Sequence, residues 1–290
     1  MVIRGNILSK MVYGCFSDII MKKCMMLFWL LILQSGLAKG QGNAAGAECA
    51  SLGGISSVLE NPWSAVGNPA GLAGFSHLTL NTCLEQRYLV TEIGNYSLAL
   101  TCPVRNGTMG ICASYEGYQA FSTNRFTLAY GKPFARTVSA GISLVYCLQS
   151  AGYESSVVHQ ASFSLGTLVK LSGRLSLAFT AFNPFQAYFK SHPYVSMQSI
   201  YRLGMAYHPS PFLKILAEIE KDLDYRPVFK MGFEYSIREE FYLRAGMQLL
   251  PLSYSLGAGF LVRKILIGLA TTYHQYLGFT PVTSLQYLFK

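Results

Sequence analysis

Phe229-Lys230-Met231-Gly232-Phe233-Glu234-Tyr235-Ser236 and then Phe241-Tyr242-Leu243-Arg244-Ala245-Gly246-Met247-Gln248-Leu249 decide the fold class. In each run the apolar residues fall on one parity and the charged, small or amide residues on the other. Side chains of a β-strand point alternately to opposite faces, so this period of two describes a strand with one apolar and one polar face. The pattern recurs. Val138, Ile142, Leu144, Tyr146 and Leu148 oppose Thr137, Ser139, Gly141 and Ser143. Phe163, Leu165, Val169 and Leu171 oppose Ser162, Ser164, Gly166 and Lys170, and Tyr254, Leu256, Ala258, Phe260 and Val262 oppose Ser255, Gly257 and Gly259. Counted along the chain, such segments lie at 77–86, 94–102, 107–115, 124–132, 137–148, 159–171, 175–183, 199–208, 213–221, 228–236, 241–249, 253–262, 265–274 and 284–289.

Composition says where such strands must go. The 290 residues are 51% hydrophobic and only 13% charged, about half the roughly 25% of a soluble domain. A helical membrane span needs about 18 or more apolar residues in a row, and the longest clean run here is Met25 to Leu33. An apolar chain without such a run crosses a bilayer as tilted strands closed into a barrel, apolar face to lipid and polar face to the lumen. The expected fold is therefore all-β: a transmembrane antiparallel barrel of about 14 strands in the outer membrane of a Gram-negative bacterium. The connections agree. Pro103–Asn106, Pro133–Arg136, Ser172–Arg174, Pro209–Phe212, Ile237–Glu240 and Arg263–Lys264 are short, whereas 87–93, 116–123, 149–158, 184–198, 222–227 and 275–283 are longer, the exception being the short link Leu250-Pro251-Leu252. Barrels of this class have short periplasmic turns and longer external loops. Proline reads as confined to the connections, because it cannot donate to a ladder.

Ahead of the barrel, Met21-Lys22-Lys23, the apolar Met25–Leu33 and the small residues Ser35, Gly36, Ala38 and Gly40 read as a signal peptide over 21–40, cut after Gly40 or Ala38. Residues 1–20 read as an upstream extension, 41–76 as a periplasmic segment and 77–290 as the barrel. The five cysteines after the cut form no Cys-x-x-Cys pair, so no zinc site is indicated. They read as small hydrophobes. His77, His159, His192, His208 and His274 stand in no nucleophile or metalloprotease motif, so no enzyme and no cofactor are expected. The +9 net charge forms no nucleic-acid-binding stripe.

On the lumen parity, Arg202, Lys214, Glu218, Lys230, Glu234 and Arg244 form a charge ladder. Counting back from the turns brings Lys214 beside Glu234, Glu218 beside Lys230 and Glu234 beside Arg244, a pairing read as structural rather than as a selectivity lining. Leu168 and Phe182 are apolar residues on this otherwise polar parity.

Between signal and barrel, Leu52-Gly53-Gly54 leads to Asn61-Pro62-Trp63 and then Ala65-Val66-Gly67-Asn68-Pro69-Ala70-Gly71-Leu72-Ala73. Each Asn-Pro reads as the start of a short turn or helix, and Gly71 as its end through a positive φ. The segment is apolar and must be buried, and the periplasmic mouth is the nearest place. This motif resembles the FadL-type outer-membrane barrel superfamily and, within it, is most similar to the PorV/PorQ group associated with type IX secretion. The resemblance implies fourteen strands and a hatch, carried by Asn68, Pro69, Ala70 and Gly71, packed in the lumen. It also implies a binding or scaffold barrel for protein secretion or surface attachment, with secreted proteins or secretion-system components as partners beside outer-membrane lipid. The alternatives are a FadL-like passive transporter of small hydrophobic compounds and a structural barrel without substrate. A broken strand with lumen-facing apolar residues would favour transport. The C-terminal Leu285-Gln286-Tyr287-Leu288-Phe289 resembles an assembly signal for the barrel-assembly machinery, with Tyr287 and Phe289 as its aromatic residues.

Overall fold

The computed structural model describes residues 45–90, 92–118, 121–151, 157–185 and 197–289; the signal peptide and upstream extension lie outside them. Fourteen strands form one closed antiparallel barrel in which each strand pairs with its sequence neighbours and β1 pairs with β14. They are β1 (Thr79–Gln86), β2 (Gly94–Val104), β3 (Gly107–Tyr118), β4 (Phe121–Pro133), β5 (Val138–Ala151), β6 (Val157–Lys170), β7 (Leu175–Phe182), β8 (Ile200–Ser210), β9 (Leu213–Asp222), β10 (Val228–Arg238), β11 (Phe241–Leu249), β12 (Ser253–Val262), β13 (Ile265–His274) and β14 (Gly278–Leu288).

The two parities separate as the alternation requires. On β10, Phe229, Met231, Phe233 and Tyr235 are 43–51% exposed while Lys230 and Gly232 are buried. A wall that pairs all round and presents large apolar side chains outward is stable in hydrocarbon and not in water. The protein is thus an outer-membrane barrel. Both ends of the barrel chain, Thr79 and Leu288, meet at the rim that carries the short turns, which makes that rim the periplasmic one.

Two expectations need correction. β14 starts at Gly278, six residues before the expected 284, and runs through Pro281. Proline also enters β2, β4 and β8, as Pro103, Pro133 and Pro209. Each strand proline stands where one flank has run out of ladder. The β1–β2 pairing stops at Thr101, two residues before Pro103. The β3–β4 pairing stops at Gly131. The β7–β8 pairing stops at Tyr207, with a β-bulge on the β9 side. The β1–β14 pairing stops at Val282. A missing N–H matters only where a partner carbonyl waits for it. The strands β3 to β6 also reach further toward the external rim than the alternation alone placed them. The five described cysteines are all free, and all but Cys102 are buried.

Candidate functional site

Residues 45–73 lie inside the barrel, and 74–76 lead out of it to β1. A short helix α1 (Ala47–Ser51) ends at Gly53 and Gly54, whose φ of 72° and 78° suit glycine and turn the chain sharply. Two 3-10 turns follow, Pro62–Ala65 and Pro69–Gly74, each with asparagine at its N-cap and proline at its first position. Leu52, Ile55, Val58, Leu59, Ala70 and Leu72 are buried. The first five pack with Leu168, Ala178, Ala206 and Leu216 from the wall.

The wall makes room for this segment with glycine. One lumen-facing glycine on each of β3, β4, β5, β6, β8, β10, β11, β12 and β13 sits so close to it that an added Cβ would meet hatch atoms. The contacts follow in order. Gly268 meets Ala47, Gly257 meets Ser51, Gly246 meets Leu52 and Gly53, Gly204 meets Ser57, Gly166 meets Asn68 and Gly131 meets Pro69. The segment therefore winds once around the lumen against the direction of the strands. Sequence reasoning assigned glycine to the lumen face and missed what it seats. One lumen-parity glycine in strand after strand was the available signal.

Asn68, Pro69, Ala70 and Gly71 lie together on this path. Asn68 is fully buried. Its Oδ1 accepts from Ala70 N–H at 3.0 Å, and its Nδ2 donates to the carbonyls of Ser57 at 2.5 Å and Thr167 at 3.2 Å. One side chain thus caps the turn, ties two parts of the segment and fastens it to β6. Gly71 lies inside the second turn and does not take a positive φ, contrary to expectation. Glycine is needed there because a Cβ would overlap the Leu59 carbonyl and the Ser64 hydroxyl.

The charged ladder is the second fastening. Glu218 is buried with its Oε2 accepting from Ser56 N–H (2.9 Å), Ser57 N–H (2.7 Å) and Ser57 Oγ (2.6 Å). Lys230 donates to Glu218 (2.9 Å), Glu220 (2.8 Å) and the Gly54 carbonyl (3.0 Å), using all three of its donors. Arg202 pairs with Glu220 at 2.7 Å and Arg244 with Glu234 at 2.6 Å. Buried charges persist where opposite charges and hydrogen bonds saturate them. Of the expected pairs, Glu218–Lys230 and Glu234–Arg244 form. Lys214 stands opposite Glu234 in the register, but among the described residues the two make no ion pair. Glu220 escaped the sequence reading although it shares parity with Glu218. Glu48 of α1 escaped it too, since its partners are remote: Asn61 Nδ2 at 2.9 Å and the outer reach of Arg244 at 4.0 Å. Burial opposes ionisation of Glu48, but Arg244, Lys214 and the Asn61 amide outweigh it and hold its carboxyl below the usual range.

Toward the external rim the lumen changes character. Val145 and Cys147 of β5, Phe182 of β7 and Ile200 of β8 form a buried apolar cluster, with Met197 against it. Arg125 borders it and donates to Cys147 Sγ at 3.4 Å. Between this cluster and the hatch, the buried hydroxyls of Ser164 and Thr180 have no hydrogen-bond partner among the described residues. Among the described residues the wall is also lower here. β7 has 8 residues beside the 14 of β6. Their pairing ends at Ser164↔Phe182, capped by Asn183 N–H to the Phe163 carbonyl. Beyond that point β6 has no strand partner on this flank among the described residues. Phe182 and Leu168 both face the lumen, but in different places, Phe182 in this external cluster and Leu168 against the hatch.

No protein-family model matches the sequence, and no curated protein matches it. Solved structures do. The toluene transporter TbuX of Ralstonia pickettii superposes with a TM-score of 0.67 at 10% identity, over 86% of this chain and 99% of that one. The toluene transporter TodX of Pseudomonas putida gives 0.60 at 12% identity, over 88% and 98%. A Pseudomonas aeruginosa FadL homologue gives 0.58 at 14% identity, over 88% and 99%. At these identities the likeness is one of architecture: the chain has the fold of the FadL-type outer-membrane barrels.

Proposed function

We propose that the chain is a passive transporter that carries small hydrophobic compounds across the outer membrane. The observation behind this reading is the buried apolar cluster of Val145, Cys147, Phe182 and Ile200 in the external half of the lumen, apart from the apolar residues that pack against the hatch. A water-filled pore gains nothing from such a surface, whereas an apolar solute leaving water gains about 25 cal/mol per Å² buried. The cluster adjoins the short β7 and the upper flank of β6, which has no strand partner among the described residues, and we read this place as the sideways route into the membrane. The similar fold of two toluene transporters supports the same reading. The test is uptake of labelled toluene by cells whose lipopolysaccharide leaflet is intact. Expressing the chain should raise the initial rate. Phe182→Asp, which puts a carboxylate in the apolar cluster, should cut the gain about tenfold or more. No gain with the wild type, or an equal gain with Phe182→Asp, would count against transport by this route.

A scaffold barrel of the PorV/PorQ kind is the second reading. It is favoured by one observation, the buried ion pairs that fasten the hatch and suit a barrel that stays shut. It predicts that a secreted protein co-purifies with the barrel and that toluene uptake is unchanged. In either role we propose that Tyr287 and Phe289, whose rings meet edge to face at 4.7 Å, are read by the barrel-assembly machinery. Phe289→Ala should lower the amount of assembled barrel in outer membranes several-fold. Wild-type amounts of heat-shifting barrel from that variant would rule the role out.

A further inference from the structure

The periplasmic rim carries a run of uncompensated cations. The turn after β2 holds Arg105. The end of β4 and the following turn hold Lys132 and Arg136. The turn after β6 holds Arg174, and the turn after β12 holds Arg263 and Lys264. The four arginines are exposed and the two lysines partly so. None of the six makes an ion pair among the described residues, and these turns contain no acidic residue. In the strand order the turns occupy one continuous arc, from β12 through the β14–β1 seam to β7. The arc ends where the turn after β8 carries no charge and the turn after β10 offsets Arg238 with Glu239 and Glu240. At the same rim Lys170, the last residue of β6, is compensated by Glu60 at 2.8 Å and does not belong to the run; at the external rim other protein groups hold the cations. There Arg87 is held between Glu85 and Glu116, and Lys221 donates to the Tyr225 carbonyl.

Each of the four arginines follows an outward apolar residue at the edge of the hydrocarbon. Val104 precedes Arg105, Phe134 lies two residues before Arg136, Leu171 three before Arg174, and Val262 directly precedes Arg263. All four apolar side chains are 40–68% exposed. Lys132 lies over the Phe134 ring at 5.4 Å, its stem on apolar surface and its charge at the tip. A cation just beyond a lipid-facing apolar side chain sits at the depth of lipid phosphates. A soluble acidic partner would need no apolar step beside each charge.

We infer that this arc is a binding collar for anionic glycerophospholipids of the inner leaflet of the outer membrane. The guanidinium groups take the headgroup phosphates, and the apolar residues meet the first methylenes. The inference rests on the barrel's orientation alone and is independent of what the lumen carries.

The test uses the full barrel reconstituted in phosphatidylethanolamine vesicles with spin-labelled phosphatidylglycerol as probe. The wild type should favour the labelled phosphatidylglycerol over labelled phosphatidylethanolamine by about fivefold for each well-placed cation, and salt should weaken the preference. The variant Arg105→Gln/Arg136→Gln/Arg174→Gln/Arg263→Gln should approach parity while keeping its shift in mobility on heating. If that variant does not assemble, Arg105→Gln/Arg136→Gln and Arg174→Gln/Arg263→Gln should each lose about half of the preference. Lys221→Gln, at the other rim, should lose none. Absence of preference in the wild type, or its persistence in the variants, overturns the inference. So does binding of soluble polyphosphate through the same arginines without any lipid preference, which would make the arc a docking face for a soluble polyanion.

Discussion

Glu218→Ala releases the hatch. The carboxylate accepts three hydrogen bonds from Ser56 and Ser57 and meets Lys230, all out of contact with water. Its removal leaves two backbone N–H groups without an acceptor, at about 1–3 kcal/mol for each buried group. It also takes one of two counter-charges from a buried ammonium, and breaking a buried pair from one side costs about 3–5 kcal/mol. The lower part of that range applies, because Lys230 keeps Glu220. The barrel wall does not share the loss equally, since its backbone ladder is untouched. The expected result is a variant that still shifts in mobility on heating but whose residues 45–73 have become accessible. Trypsin cannot report this, as the segment has no Lys or Arg; chymotrypsin can, at the buried Trp63. Planar-bilayer recordings should show ion conductance above that of the wild type. Glu218→Gln keeps a carbonyl acceptor and should fall between the two. Wild-type protease resistance in Glu218→Ala would mean that apolar packing and Asn68 hold the hatch without the carboxylate.

Gly141→Val with Gly166→Val should open the hatch from the opposite wall. The two glycines are register partners on β5 and β6. A Cβ at 141 overlaps the Pro69 backbone, and one at 166 overlaps Asn68 Oδ1. Valine suits a strand, so the ladder itself gains. The penalty falls on the lumen contents, about 1–3 kcal/mol per overpacked site, and at 166 it also disturbs the bonds from Asn68 to Ser57 and Thr167. Chymotrypsin sensitivity and conductance should rise together while the heat shift persists. Gly173→Val is the matched control, because nothing lies within 4 Å of its added Cβ. If the double variant resists protease as well as Gly173→Val does, the glycine track is not a seat.

Much of this architecture is legible in the chain. Strand number, the outward face and the short-turn rim follow from period-two alternation, because in a two-sided environment each side chain's solvent is set by parity alone. Glu218–Lys230 and Glu234–Arg244 follow from counting residues back from turns. The start of β14 does not, since Pro281 is a strand breaker unless one knows that the β1 ladder has already stopped. The hatch contacts are less accessible still. Nothing local connects Glu48 with Arg244, or Asn68 with Gly166, because a segment without periodicity finds its partners only through the closed shape around it.

The strand prolines have a consequence for life in a crowded membrane. A closed barrel has no edge along its wall, but its rims are ragged, and wherever one strand outlasts its neighbour a few backbone groups are left to recruit another chain. Pro103, Pro133, Pro209 and Pro281 stand at such overhangs. Each withholds an N–H that could start a ladder with a neighbouring copy. Adhesion between barrels packed side by side is thereby discouraged at the rims, where lipid offers least separation between one protein and the next.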